Sequence, residues 1–277
     1  MSAWQVGLST GCFYRTSIFE VLEAIRYSGF SFVEICSHPA HLDYNDREKV
    51  RKAATCLQRY GLQPFSFHAP FGSGIDIASP VEEQRRKSIA ELRAAVKAAA
   101  ILGAGHFVIH PGPEKEAGPD PEKNWHMLRL CAESLRIIAE DCWRHGMKIV
   151  LENMLPHLFP ADAADLCGLM RQLDDLRPGF CLDTGHAHIS GDLHRLIRVF
   201  VTDMLMIHAA DNKGREDEHL PPGKGTINWP EIWTLLRKGD FKGVVMLELA
   251  GDSGDKKEEI LAEALKARHF LEKLAGS

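Results

Sequence analysis

The sequence predicts an α/β protein, a single (β/α)8 TIM barrel, and three observations predict it. Eight short apolar runs recur along the chain, each followed by a segment with apolar residues at helical spacing. Regular βα alternation gives parallel strands with right-handed crossovers, and eight such units close most naturally into a barrel. The rival doubly wound sheet loses its dinucleotide version because no Gly-x-Gly-x-x-Gly follows any strand.

In chain order, Val6-Gly-Leu-Ser-Thr is the first strand, and residues 16–28 form a helix with Phe19, Leu22 and Ile25 on one face and Gly29 ending it. Residues 30–36 are the second strand. A helix then starts near Asn45 or Asp46, carries Val50, Ala53, Leu57 and Tyr60 at helical spacing, and closes at Gly61. Strand three covers 62–68, with Pro64 near its start, where a missing N–H is tolerated. Ser79, Pro80 and Glu82 read as N-cap, first turn and capping box of the next helix, whose apolar face is Ile89, Leu92, Val96 and Ala99.

Strand four is 106–110, followed by a Pro/Gly-rich loop to the cap pair Asp120-Pro121 and a stripe of Leu128, Cys131, Leu135, Ile138 and Cys142 that Gly146 stops. Strand five is 148–152, then a helix near 161–173. After the Pro178-Gly179 turn signal, Phe180, Cys181 and Leu182 form strand six, which ends at Asp183. A short helix (192–201), strand seven (204–208), a polar loop through Asp217, His219 and Gly225, and a helix opening at Trp229-Pro230 follow. Strand eight is 244–248, and Asp255 caps a last helix with Glu258 in the capping-box position.

At 277 residues, 45% hydrophobic and 26% charged, the chain suits one barrel of roughly 250 residues. No linker or composition shift divides it, so residues 1–277 read as one domain. A net charge of -5 leaves no basic footprint for nucleic acid. Seven cysteines without a Cys-x-x-Cys pair read as reduced thiols of a cytoplasmic protein. The N-terminus shows no signal peptide, and no apolar run approaches the ~18 residues of a membrane span.

Strands three to eight end in His68, His110, Glu152, Asp183, His208 and Glu248, the positions where barrel enzymes place catalytic groups. Asp183, emerging from an apolar run, is costly unless a cation or hydrogen-bond donors neutralise it. The plainer alternative is that Asp183 caps the next helix and His186 lies on a solvated Thr-Gly loop. Glu152, Asp183, His208 and Glu248 form a three-carboxylate, one-imidazole set suited to Mn²⁺, Mg²⁺, Co²⁺ or Zn²⁺. Asn153 and Asn212 stand beside these residues as donors to ligands or substrate. Spacing alone places Asp217 and His219 on a solvated loop.

Cys181-Leu-Asp183-Thr-Gly-His186-Ala, Ile207-His208-Ala-Ala-Asp211-Asn212, the loop Asp217-Glu-His219-Leu-Pro-Pro-Gly-Lys-Gly225 and the strand-end Glu152 and Glu248 carry a resemblance. Over essentially its whole length the chain resembles the xylose-isomerase-like barrel superfamily, which holds sugar and sugar-phosphate isomerases and epimerases together with endonuclease IV-type enzymes (AP endonuclease family 2). The isomerase branch implies that Glu152, Asp183, His208 and Glu248 hold one metal. Glu152 and Glu248 then double as the acid/base pair, and His186 contacts substrate oxygens. The endonuclease branch implies three zinc ions: one on His68, His110 and Glu152, one on Glu152, Asp183, His208 and Glu248, and one on His186, Asp217 and His219. Related barrels also dehydrate cyclic polyols at such a site.

Clamping a polyanion needs Lys and Arg from several loops, yet residues 69–79 and 153–159 contain neither. Lys213 and Arg215 are left to meet a phosphate or carboxylate of a small substrate. A barrel that only binds would be expected to lose one of the paired glutamates, and both are present. The expectation is therefore an enzyme with one divalent metal that isomerises or epimerises a small sugar, sugar phosphate or keto-polyol by proton transfer through a metal-stabilised enediolate. A zinc-dependent abasic-site endonuclease is the alternative and a polyol dehydratase the second. The expected partner is a carbohydrate, with no membrane, nucleic acid disfavoured and a homo-oligomer compatible.

Overall fold

Alternating strands and helices curl until the last strand meets the first. The computed structural model describes residues 4–113, 120–160, 162–251 and 257–276. Strands β1 (Val6–Ser9), β2 (Phe32–Cys36), β3 (Gln63–His68), β4 (His106–Ile109), β5 (Lys148–Glu152), β6 (Gly179–Asp183), β7 (Met204–Ala209) and β8 (Val244–Leu247) pair in sequence order. β8 closes on β1 in parallel through Val6–Val245 and Leu8–Leu247, so the fold is a single (β/α)8 TIM barrel.

The helices are α1 (Ile18–Tyr27), α2 (Arg47–Tyr60), α3 (Glu82–Leu102), α4 (Pro121–Arg144), α5 (Ala163–Gln172), α6 (Thr184–Ser190), α7 (Leu193–Phe200), α8 (Trp229–Lys238) and α9 (Lys257–Gly276). Aspartates start several of them. The Asp46, Asp120 and Asp162 side chains each accept two backbone N–H groups of the following turn, and Gly61 closes α2 in the left-handed conformation. The cap expected at Asp255 lies outside the described residues. The seven cysteines are all free thiols. Among the described residues no helix is long and apolar enough to cross a membrane.

Two expected features differ. Helix α3 begins at Glu82 behind Val81, which makes no side-chain cap. Buried Ser79 instead accepts from the Val81 N–H at 3.2 Å, and its carbonyl accepts from Arg85, so the Ser-Pro pair forms a turn before the helix. After β6 the expected Thr-Gly loop is the helix α6, because Asp183 accepts the His186 N–H at 2.7 Å and starts a turn there.

The barrel interior explains why the strand ends matter. Val108, Val150, Cys181, Met206 and Met246 form an apolar plug inside the ring. Strand side chains alternate with a period of two, so the next inward residue on each strand is His110, Glu152, Asp183, His208 or Glu248. Outside the ring, the strands' other faces and the helices' apolar stripes share the main core, which includes Leu8, Phe67, Phe107, Leu92 and Leu135. His110 and Glu248 lie one residue past their strands.

Close approach between strands is built on glycine. A Cβ on Gly243 would stand 2.2 Å from the Leu205 carbonyl oxygen of β7, and backbone cannot yield as a side chain can. Gly243→Ala should therefore cost about 1–3 kcal/mol. Thermal unfolding will show this as a lowered midpoint, and an unchanged midpoint would mean β7 and β8 have room to separate.

Candidate metal centre

Two groups of donor atoms converge at the strands' C-terminal ends, among the described residues. Glu152, Asp183, His208 and Glu248 offer atoms that all lie within 4.8 Å of one another, and so do His68, Glu152 and His208. The first group is the four-ligand set expected from the sequence.

His208, fully buried, stands at the centre. Its Nδ1 is 3.0 Å from Glu152 Oε1 and 3.1 Å from Glu248 Oε2. Its Nε2 is 3.1 Å from Glu34 Oε2 on β2. Glu34 is itself fully buried and accepts from Ser9 (3.2 Å) and Ser66 (2.8 Å), which lie at its own level on β1 and β3. This carboxylate fixes the imidazole so that Nδ1 faces the cluster, the arrangement by which an outer carboxylate orients a metal-bound histidine. Glu34 was not singled out in the sequence. The signal that could have found it is a glutamate flanked by Val33 and Ile35 in an apolar strand.

Burial alone would lower the His208 pKa, but Cys181 and the carboxylates of Glu34, Glu152 and Glu248 hold it well above the ordinary value. Burial alone would raise the Glu152 and Glu248 carboxyls. His208, joined by His68 at Glu152 and by His219 at Glu248, holds the first well below the usual range and brings the second to about 2. Asp183 is the exception: burial pushes it up to about 6. Its Oδ1 accepts the His186 N–H, while its buried Oδ2 has no hydrogen-bond partner. A bare carboxylate oxygen aimed into a negative, histidine-containing cluster is where a divalent cation fits, and the cation would take the place of the protons those histidines otherwise bind. Asp183 thus performs both tasks that the sequence posed as alternatives, capping α6 and completing a donor set.

The remaining candidates surround this core. His68 Nε2 is 3.2 Å from Glu152 Oε2, and His110 Nε2 is 3.8 Å from the same oxygen. His186, Asp217 and His219 do come together, with Asp217 Oδ2 at 3.4 Å from His186 Nε2 and 2.9 Å from His219 Nε2. Asp217 and His219 are half-buried and hydrogen-bonded within this group. The organiser is fully buried Asp211, which accepts from the Gly223 and Ile227 N–H groups and the Trp229 indole and so folds the loop back on β7. A Cβ on Gly225 would stand 2.2 Å from Asp211 Oδ1, which is why glycine sits there.

Asn153, Asn212, Lys213 and Arg215 were expected to meet substrate, the two asparagines alternatively to support the ligands. Both polar ends of Asn153 pair with the Asp183 backbone at 2.9 and 2.8 Å. Asn212 donates to the Gly185 carbonyl and accepts from the Gly214 N–H. Each amide holds backbone beside the candidate donors. Lys213 is exposed and pairs with Glu218 at 2.9 Å, and Arg215 is exposed; neither lines the cavity above the cluster.

Against known proteins, the model of the xylose isomerase-like TIM barrel family matches residues 22–274. An uncharacterized protein of Methanocaldococcus jannaschii is 29% identical over 272 residues, covering 94% of this chain and 89% of its own. A probable endonuclease 4 of Halothermothrix orenii is 25% identical over 238 residues, with 79% and 83% covered. The crystal structure of a D-tagatose 3-epimerase-like protein superposes with a TM-score of 0.81 at 25% identity, covering 98% of this chain and 96% of that one.

Asp183→Asn keeps the shape and removes the charge, so metal retained after mild chelation should fall sharply; unchanged stoichiometry would remove Asp183 from the donor set. Glu34→Gln should weaken zinc or manganese affinity by about 10- to 100-fold with the fold intact, as calorimetric titration would report. An unaltered affinity would show that His208 is oriented without it.

Proposed function

The chain belongs to the xylose isomerase-like TIM barrel family, and on that premise we propose that it is a divalent-metal-dependent isomerase or epimerase of a carbohydrate with a carbonyl beside a hydroxyl-bearing carbon. The observation that carries the reading is the convergence of two glutamates, from β5 and from the end of β8, with Asp183 and His208 on one point. Similarity to a D-tagatose 3-epimerase-like protein supports it.

Glu152, Asp183, His208 and Glu248 would hold the ion. When bound there, a divalent cation supplies positive charge beside neighbouring substrate oxygens and so acidifies the C–H between them. The protein's own part is proton handling. Glu248, with its side chain 19% exposed, opens onto the cavity and is placed to exchange a proton with a substrate carbon. Glu152, 2% exposed, approaches from another strand with its oxygens beside His208 and His68. One carboxylate removes the proton and the other returns one from the opposite face. His186, its Nδ1 donating to the Asn153 carbonyl at 2.9 Å, is held in place to meet a substrate oxygen.

The endonuclease relatives keep a second reading in view, because all nine residues of the three-zinc pattern are present. Two features favour the sugar reading. The donor atoms of His186, Asp217 and His219 are not among the groups converging within 4.8 Å in the described residues, and neither Lys213, paired with Glu218, nor Arg215 lines the cavity. One ion per chain, not three, is the expected metal content.

Glu248→Gln should lower exchange of substrate C–H with solvent deuterium by about 10²- to 10⁴-fold while the far-ultraviolet dichroism is unchanged. The same metal-loaded preparation should leave an abasic-site duplex intact. Cleavage that weakens steeply with salt, without sugar exchange and with three zinc ions bound, would reverse the assignment. Release of water from a cyclic polyol would instead identify a dehydratase.

A further inference from the structure

The cavity over the cluster is larger than the chemistry at its base requires, and it extends in one direction. Its volume is about 920 Å³, near the upper end of the range of drug-sized ligand pockets, and a single hexose is far smaller than the ligands such pockets hold. His68, His219 and Glu248 line the reactive end. From there the walls continue over the ends of β1, β2 and β3 to the first half of α3, and no residue of β4 to β7 contributes.

The walls change character along this course. Phe71 is 56% exposed, its ring 5.2 Å from that of His68 and 4.8 Å from that of His110, so an apolar face stands directly beside the histidines. Ile75 and Tyr14 also line this part. Phe71 thus leaves an apolar ring open to a ligand at the mouth of a polar site. Farther on, the lining becomes polar again: the Tyr44 hydroxyl donates to Glu91, and Lys87 pairs with Glu83 at 2.8 Å. Lys87 is the one lysine or arginine lining the cavity among the described residues, and Glu91 stands on the same helix face one turn away. A phosphate placed there would meet a carboxylate as well as an already paired lysine.

A reactive end lined by imidazoles and a carboxylate, an aromatic middle and a neutralised polar far end match a molecule with a second sugar ring. The C–H face of a pyranose covers an aromatic ring, and its hydroxyls reach polar groups at the rim. We propose that the substrate is a neutral glycosylated ketose, with its carbonyl end at the metal cluster and its second ring over Phe71. This rests on the isomerase/epimerase reading and names the substrate class for it.

The test measures kcat/KM for solvent-deuterium exchange by the metal-loaded full chain with lactulose, isomaltulose, fructose, tagatose and fructose 6-phosphate. The better disaccharide should exceed the better free ketohexose by about tenfold or more. Phe71→Ala should remove that preference mainly through KM, and Phe71→Trp should restore it. The inference is overturned if a free ketohexose or the phosphate ester is the best substrate, or if Phe71→Ala lowers every sugar alike. Either outcome leaves the isomerase/epimerase reading standing; no exchange with any sugar would sink both.

Discussion

The contact between His208 and the carboxylates around it is the constraint on which the rest of the site depends. A fully buried imidazole with Glu34 on one nitrogen and Glu152 and Glu248 on the other cannot be packed as an apolar residue. Removing one partner would leave a buried charge uncompensated, which costs far more than the pair itself contributes. The barrel is the fold that makes such a concentration tolerable. Its strands deliver side chains from all directions onto one axis, and the apolar plug beneath keeps the polar groups at the end that opens to solvent.

Around that axis the backbone is held by polar side chains. Asn153 clasps the backbone of Asp183, and the Thr184 hydroxyl lies 3.1 and 2.7 Å from the carbonyls of His208 and Ala210, binding the end of β6 to β7 where both supply candidate donors. Asp211 draws the 213–228 loop inward, and His219 continues the link by approaching the Glu248 carbonyl at 3.2 Å. These residues carry no reaction chemistry in the proposed mechanism. They set the angles at which the ligands point, and a metal centre is sensitive to such small displacements.

In the proposed mechanism the two glutamates divide the labour. Glu152 sits deep, between two histidines, and Glu248 stands at the boundary with the cavity. Chemically similar side chains in unlike surroundings are what paired acid/base work needs, since each must hold a proton at a different moment. The asymmetry extends outward, because the cavity runs from Glu248 over the ends of β1, β2 and β3.

Much of this was written in local sequence pattern. Period-two apolar runs ending in His68, Glu152, Asp183 and His208 are visible without coordinates, because a strand's inward face and its last residue are local properties. Asp46 and Asp120 announced their helices for the same reason: a cap bonds only to the next turn. Ser79 misled because a Ser-Pro pair satisfies a turn and a cap with the same residues. Closure of the ring decided the rest. Glu34 meets a histidine 174 residues away, the Asn153 and Asn212 side chains bond to backbone of neighbouring segments, and Asp217 and His219, half-buried, meet His186 and the Glu248 carbonyl on a loop that Asp211 anchors. Residue type and spacing state what a side chain can bond; only the approach of distant strands decides which partner it has, because a contact across the barrel leaves no periodicity in the chain.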